Sequence, residues 1–519
     1  MYFMKSYNSN CNAVILMHQR LYGMALVFLL AALVTGCTVL GPDYTRPEAA
    51  IEPNWIDAGN PFVTSEPPVD PQWWKTAFQE PELDQLVETA LRQNLTLRSA
   101  GLRVLQSQQQ LAIAIGNQFP QQQQASGSAS RQKSNNTTFN NYSLGFNLAW
   151  EADFWGRFRL QVESASAELD ASVADYDGVL VSLVSQVAQT YILIRTFQDR
   201  LEVARKNIKY QEESLRITRA KFDAGQVSEL DADQAESLLN NTKATESSLE
   251  ISLQQLKNSL AVLLGKLPQD YNHLLGEQGN IPPPPPEIAL GMPQDIIRQR
   301  PDIRSAERRL AAQSAEIGFA ETELYPHFSI GGAIGTNADS TGDLFDSDSE
   351  TWNLFGMFEW NIFNYGRLRS NVRLQDALFQ QLLVDYLNTV LQAQGDVENA
   401  IVAYLKSHEQ LVSYKLAAAA SQRAVNIATI QYQEGSTDFN TLVTTLTANV
   451  QQQDLLSSAH GSVAVNLVQV YRALGGGWQI RDNRDPVDLL PADMKEEMQQ
   501  RTRAWEGVLN SDKDSVQER

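Results

Sequence analysis

From Leu169 to Phe222, stepping alternately by four and three residues, thirteen of sixteen positions are apolar. The same steps from Phe379 to Tyr432 land on fourteen apolar residues out of sixteen, each 210 positions after its counterpart in the first run. Apolar residues sustained at this spacing specify coiled-coil helices rather than the shorter helices of a globular core. The helical stretch Arg157–Lys221 is 65 residues long, a rod of about 100 Å at the helical rise. No single-core domain holds a helix of that length.

The offset of 210 reaches well beyond the heptads. It relates Trp150 to Trp360, Gly156-Arg157 to Gly366-Arg367, Gly225 to Gly435 and Leu264-Gly265 to Leu474-Gly475. Upstream the offset is 206, relating Leu91-Arg92-Gln93 to Ile297-Arg298-Gln299, Arg98-Ser99-Ala100 to Arg304-Ser305-Ala306, and Phe119-Pro120 to Tyr325-Pro326. The chain is a tandem repeat. Its halves differ by four residues between Pro120 and Trp150, where a variable loop belongs. Two shorter helical stretches, Leu83–Ile115 and Glu229–Leu264, flank the first long helix. Together they also reach about 100 Å, so the long helix can lie antiparallel to the two stacked end to end.

The expected plan follows. A first repeat over 81–280 holds a helix, a β-hairpin (125–150), the long helix (157–221), a tip (222–228) and a return helix (229–264). A proline-rich linker (281–292), containing five consecutive prolines from Pro282 to Pro286, reads as a stiff connector. The second repeat over 293–478 holds a helix, a hairpin (327–363), a long helix (367–432), a tip (433–439) and a return helix (440–474). Residues 479–519 are polar, with a short amphipathic piece at Leu489–Trp505 and a tail expected to be mobile. At the tips, Gly225 and Gly435 suit a left-handed helix stop, and Ser228 and Asp438 can cap the returning helices.

Opposite the tips, Tyr142–Trp150 and Trp352–Phe363 carry apolar residues at alternate positions, each preceded by a Gly/Ser-rich strand candidate, Ala125–Lys133 and His327–Thr336. Polar loops are expected at Ser134–Asn141 and Asn337–Glu350. Strands of this length span an outer membrane, and Trp150, Phe154, Trp155 and Phe158, clustered where strand becomes helix, suit an interfacial aromatic belt. Ordinary surface hairpins are the soluble alternative. The strand-to-helix interface is assigned to Trp150, Trp155, Gly156, Arg157, Trp360, Gly366 and Arg367. Four strands cannot close a barrel, and open edges in lipid leave backbone groups unsatisfied. Three chains supply twelve strands, within the known range.

The compartment is read from the N-terminus. Arg20 precedes an apolar run from Leu21 to Val34, the length of an export signal rather than a spanning helix. It ends Val34-Thr35-Gly36-Cys37, which resembles a bacterial lipobox: residues 1–36 are then the signal peptide and Cys37 the lipidated first residue. The alternative is an ordinary signal peptide containing a cysteine. By resemblance to lipoprotein sorting rules, Thr38 in place of aspartate implies release to the outer membrane, and Met17 suits a true start with residues 1–16 superfluous. Cys11 and Cys37 are the only cysteines, leaving none for a disulfide framework or a Cys-based metal site. The net charge of −20 argues against nucleic-acid binding. The histidines, His18, His273, His327, His408 and His460, are scattered without metal-ligand spacing, no P-loop is present, and no catalytic triad stands out, so the chain is read as not an enzyme.

Several motifs, together with the repeat and lipobox, resemble the TolC-like outer-membrane efflux factors, in their lipidated NodT-like branch. They are Gly41-Pro42-Asp43-Tyr44-Thr45-Arg46-Pro47; Trp73-Trp74 with Phe78, Pro81-Glu82-Leu83 and Leu86; Arg300-Pro301-Asp302-Ile303-Arg304 with Glu307-Arg308-Arg309-Leu310; and Tyr432 with Gly435, Asp438 and Phe439. The resemblance implies a mainly α protomer with a β-barrel segment. Three protomers form a 12-stranded outer-membrane barrel and a periplasmic α-helical barrel, with an equatorial region contributed by 37–80 and the C-terminal segment. It implies a passive exit duct in a Gram-negative outer membrane, a homotrimer that works with a periplasmic adaptor and a proton-driven inner-membrane transporter. No cofactor is implied beyond the lipid on Cys37.

By the same resemblance the duct is gated at its periplasmic tip. Some members carry aspartates six and nine residues after the tip glycine; here Thr441 and Thr444 stand there, with Asp438 the nearest carboxylate and Asp231 six after Gly225. Asp438 either joins a three-fold gating ring or only caps its helix. Adaptor contact falls to the tips, around Lys221, Gly225, Ser228, Tyr432, Gly435 and Phe439. The rival reading is a periplasmic coiled-coil structural or adaptor lipoprotein without a pore. An adaptor would carry one helical hairpin rather than two.

Overall fold

The computed structural model describes residues 39–64, 71–268, 275, 279–285 and 287–509. Cys37 and the apolar run from Leu21 to Val34 lie outside the described residues, as do Pro286 and 510–519. The elements in chain order are β1 (Val63–Thr64), α1 (Trp73–Phe78), α2 (Pro81–Gln93), α3 (Leu95–Gly116), β2 (Gln122–Ser134), β3 (Thr137–Ala152), α4 (Arg157–Asp223), α5 (Glu229–Leu263), β4 (Ile288–Ala289), α6 (Pro293–Gln299), α7 (Pro301–Thr322), β5 (His327–Ala338), β6 (Glu350–Glu359), α8 (Arg367–Gln433), α9 (Phe439–Ala473) and α10 (Ala492–Arg501). The described residues fall into two compact units, one within 1–47, 106–171 and 306–386 and the other within 48–105, 172–305 and 387–519.

Both long helices have 67 residues, and burial along them follows the heptads. Tyr176, Leu180, Leu183, Val187, Ile194, Leu201, Ala204 and Ile208 are buried on α4, as are Tyr386, Val390, Ala393, Val397, Tyr404, Val425, Ala428 and Tyr432 on α8. One stretch of α4 is long and apolar enough to cross a membrane, but 61% of it is buried inside the protein, as in a core helix.

The first unit holds an antiparallel sheet in the order β2-β3-β5-β6. Tyr142, Leu144, Phe146, Leu148 and Trp150 share a face with Phe328, Ile330 and Ile334, and through β5 with Trp352, Leu354 and Phe358. That face is exposed: Trp352 and Leu354 are each 75% accessible. The other face of β3 and β5 carries small and polar residues, Ser143, Gly145, Asn147, Ser329, Gly331 and Ala333.

The hairpins depart from expectation. The polar loop expected at 134–141 shrinks to Asn135-Asn136, both at positive φ (47° and 65°), the geometry of a two-residue hairpin turn that asparagine tolerates. The second connection runs over 339–349 and contains one short 3₁₀ turn, Ser347–Ser349. The strand expected to reach Phe363 stops at Glu359.

In the second unit the helix expected over Leu83–Ile115 is two helices, broken at Asn94 (φ −61°, ψ 125°). Asn94 caps α3 by accepting from Leu97 N–H (2.9 Å) and donates from Nδ2 to the carbonyl of Leu263 (2.9 Å), at the end of α5. Its repeat counterpart, Arg300, is equally extended (φ −61°, ψ 131°) and donates from Nη1 to the carbonyl of Ala473 (2.6 Å), at the end of α9. Two different side chains thus tie the same joint to the same helix end. Pro301 forces the break at Arg300; at Asn94 no proline does.

The motif residues serve this unit as joints. Trp73 and Trp74 are buried, with Trp73 stacked on Tyr471 at 4.7 Å. Buried Arg195 pairs with Glu82, and fully buried Asp177 receives Arg481 (2.8 Å) and Arg304 (3.3 Å). β1 and β4 form a short parallel pair, and Tyr404 donates to the carbonyl of Pro285 (3.0 Å) in the proline connector.

Candidate functional site

Two clusters gather the residues singled out by sequence. The first is the tip. Gly225 and Gly435 adopt positive φ (68° and 76°), which lets Gln226 N–H reach the carbonyl of Lys221 and Ser436 N–H that of Gln431, both at 2.8 Å. These bonds satisfy carbonyls that the ends of α4 and α8 would otherwise leave open. Ser228 and Asp231 form a reciprocal capping box on α5: Asp231 N–H donates to Ser228 Oγ (3.4 Å) and Ser228 N–H to Asp231 Oδ2 (3.1 Å). Asp438 caps α9 by accepting from Thr441 N–H at 2.7 Å. That bond holds the exposed Asp438 carboxyl below the ordinary aspartate value. Thr441 and Thr444 are exposed along the first turns of the same helix.

Beneath the caps the hairpins are bound to each other. Tyr432 and Phe439 are buried in edge-to-face contact (5.4 Å) within a cluster of Ala235, Val425, Ala428, Leu442 and Leu446. Lys221, from the first hairpin, donates to the carbonyl of Tyr432 (2.5 Å) with its ammonium 4.2 Å from that ring's centroid, while Tyr432 donates to Thr218 Oγ1 (3.3 Å). Further up, Arg200 pairs with Asp454 (2.7 Å). Sequence reasoning named Lys221 and Tyr432 separately but not their contact. It missed the Arg200–Asp454 bridge, whose members are 254 residues apart.

The second cluster is the strand-to-helix junction. Trp150 Nε1 donates to the carbonyl of Gln118 (3.2 Å) and Trp360 Nε1 to that of Leu324 (3.0 Å). The tryptophans are 210 apart and their acceptors 206 apart, so each repeat makes the same bond. Trp155 Nε1 donates to Pro326 O (2.8 Å). Arg157 bridges Glu151 (3.1 Å) and Glu323 (3.0 Å), with its guanidinium 5.5 Å from the centroid of Phe319. Gly156 and Gly366, both at positive φ (81° and 83°), start the long helices, and at Gly156 a side chain would collide with Val39. The second repeat's junction lacks this cover. Arg367 and Gly366 are exposed, Phe363 is 92% accessible, and Tyr365, the counterpart of half-buried Trp155, is fully exposed.

Among the described residues, no group of three or more His, Cys, Asp or Glu side chains is placed to hold a metal ion. The arrangement offers a sheet with an exposed apolar face and a helical tip in which the two hairpins are bound to each other.

Comparison with known proteins agrees with this geometry. The outer membrane efflux protein family matches residues 86–266 and 292–476, the two repeats in turn. The chain is 31% identical over 412 residues to nodulation protein T of Rhizobium leguminosarum bv. trifolii, covering 78% of this chain and 86% of that one. It is 32% identical over 423 residues to the pyoverdine export outer membrane protein OpmQ of Pseudomonas putida, covering 79% and 89%. The solved outer-membrane channel OprN superposes with a TM-score of 0.80 at 31% identity, covering 85% of this chain and 99% of that one.

Proposed function

The chain belongs to the outer membrane efflux protein family, and from that premise we propose a three-chain, tip-gated form of the family's duct. The protein is an outer-membrane exit duct that passes substrates delivered from the inner membrane, and its family consists of channels rather than enzymes. The observation that carries the three-chain reading is the sheet: an exposed apolar face ending in two open edge strands, β2 and β6. Open edges in lipid demand partners, and three protomers supply twelve strands. The bare second junction around Phe363, Tyr365 and Arg367 supports the same reading, because the next protomer's first repeat would cover it as the second repeat covers Trp155 and Arg157.

In this assembly three copies of the tip form the periplasmic aperture, with Asp438, Thr441, Thr444 and Asp231 as its gating residues. The surfaces around Lys221–Ser228 and Gln431–Phe439 receive a periplasmic adaptor that links the duct to a proton-driven transporter. OpmQ is named for pyoverdine export and another relative, CusC, for cation efflux. The difference between these names supports a reading in which the transporter and adaptor, rather than the duct, choose the cargo.

The test is single-channel conductance of the detergent-extracted protein in planar bilayers, with oligomer mass measured on the same sample. Steady cation-selective steps from a trimer are expected. A monomer that stays water-soluble once the lipid is removed would leave a periplasmic coiled-coil scaffold in place of the channel.

A further inference from the structure

The apolar face of the sheet is not flat at its helix end. A groove of about 890 Å³ opens there, lined by Trp150, Ala152, Phe154, Phe328, Ile330, Gly356, Met357 and Phe358, with Gln118, Asp153 and Arg159 at its margin. Its volume lies within the range of ligand pockets, about 300–1,000 Å³. The strand register explains it. Trp150, Ile330 and Gly356 sit side by side in one row, and Ala152, Phe328 and Phe358 in the next. Gly356 and Ala152 therefore leave gaps at opposite ends of two rows of large side chains, and a Cβ built on Gly356 meets nothing within 4 Å. Phe154 closes one wall, edge-on to Phe328 at 5.1 Å. Arg159, ion-paired with Asp153 at 3.0 Å, gives the groove a polar margin.

The start of the described chain lies beside this groove. Leu40 N–H donates to the carbonyl of Trp155 (3.1 Å), and Val39 packs against Gly156, one and two residues beyond Phe154. Cys37 is two residues before Val39, so its Cα is held within about 7 Å of that of Val39. In the duct proposed above, the strands' helix end faces the periplasmic leaflet, where the lipid of an exported lipoprotein inserts.

We propose that this groove seats an acyl chain of the lipid carried by Cys37 of the same protomer. The inference rests on Cys37 being lipidated. The bound chain fixes the anchor to the barrel wall instead of leaving it free in the bilayer, and burial of its methylenes is equally favourable in either place. What the groove adds is position, since Trp155 and Gly156 already hold the peptide that leads to the lipid.

The experiment feeds cells a diazirine-bearing fatty acid, purifies the full-length protein from membranes, irradiates it and maps cross-links by mass spectrometry. The expected product joins the acylated N-terminal peptide to segments 150–159, 328–330 or 356–358. Gly356→Phe, which fills the gap, should remove most of that product by excluding the chain from the groove; the oligomer mass of the same sample reports that the variant folds. An acylated N-terminal peptide linked elsewhere, or a groove labelled only by free phospholipid, overturns the proposal while leaving lipidation intact. A Cys37 peptide without acyl groups overturns the lipidation reading itself.

Discussion

At the tip, Asp438 combines two properties that separate experimentally. As an N-cap it needs only an oxygen for Thr441 N–H; as a gate element it needs its charge. Asparagine caps as well as aspartate does, so Asp438→Asn should keep α9 intact while weakening block by divalent cations about tenfold, as removing one charge from each of three chains implies. Asp438→Ala should lose both, and hydrogen exchange in the first turn of α9 distinguishes the two variants. Its lowered pKa sets the pH window. The carboxylate stays charged from neutral pH down to its ordinary value of 3.8, and cation block should fade only as pH falls through the lower folded value. Block that disappears already near pH 6 would assign it to another group. Lys221 makes a second prediction: Lys221→Met removes a charge-assisted hydrogen bond and a cation–π contact, about 2 kcal/mol per protomer. The two hairpins should then part more readily, raising mean conductance. Asp438 was legible in the sequence because capping is local. The Lys221–Tyr432 contact was not, because it joins residues 211 apart and depends on how two hairpins pack.

Among the elements, periodicity made the four long helices legible, whereas their joints were hidden. Asn94 breaks a pattern whose apolar spacing continues across it, and only its bonds to Leu97 and Leu263 show why the chain turns there. β2 was hard to delimit for the opposite reason: Gln122–Ser134 is exposed along its whole length and shows no apolar alternation. Its pairing comes from β3, and Asn135-Asn136, read as part of a polar loop, is the turn between them. Arg300 tests how much a joint matters. Its guanidinium is buried, bonded to the carbonyl of Ala473 and forked onto Asp302 (2.7 and 3.1 Å). Arg300→Ala should cost about 2–3 kcal/mol locally, leaving the end of α9 without its donor. Amides over 297–304 and 472–476 should exchange faster, while those at the tip stay unchanged. Arg300→Lys should recover part of the protection, since it keeps the charge but not the fork.

For the whole molecule, four strands placed in lipid call for a shared barrel but leave its seams unspecified; the repeat supplies them. Trp150 and Trp360 make the same hydrogen bond in their repeats, which aligns β3 with β6 and sets Tyr142 against Trp352. Tyr142 pairs with Ala129 and Trp352 with Ile334, so Ala129 on β2 corresponds to Ile334 on β5. Within the protomer, Tyr142 pairs with Ala338 and Leu144 with Thr336. If the seam between protomers repeats the seam between halves, Trp352 lies opposite Lys133 of the next protomer and Leu354 opposite its Arg131. This register keeps Trp352, Leu354 and Phe358 of β6 on one face with Tyr142 and Leu144 of β3, whereas a slip of one residue would turn them inward. The mature chain offers no other cysteine beyond Cys37, so a double variant, Trp352→Cys with Lys133→Cys, tests the seam cleanly. Mild oxidation in membranes should produce a covalent trimer on denaturing gels, because directly opposed strand residues lie within disulfide reach. Trp352→Cys with Gln132→Cys should not cross-link, since Gln132 faces the other side of the sheet. Cross-linking by the second pair and not the first would show a shifted register; failure of both would mean that β2 and β6 do not meet, and the shared barrel would have to be abandoned.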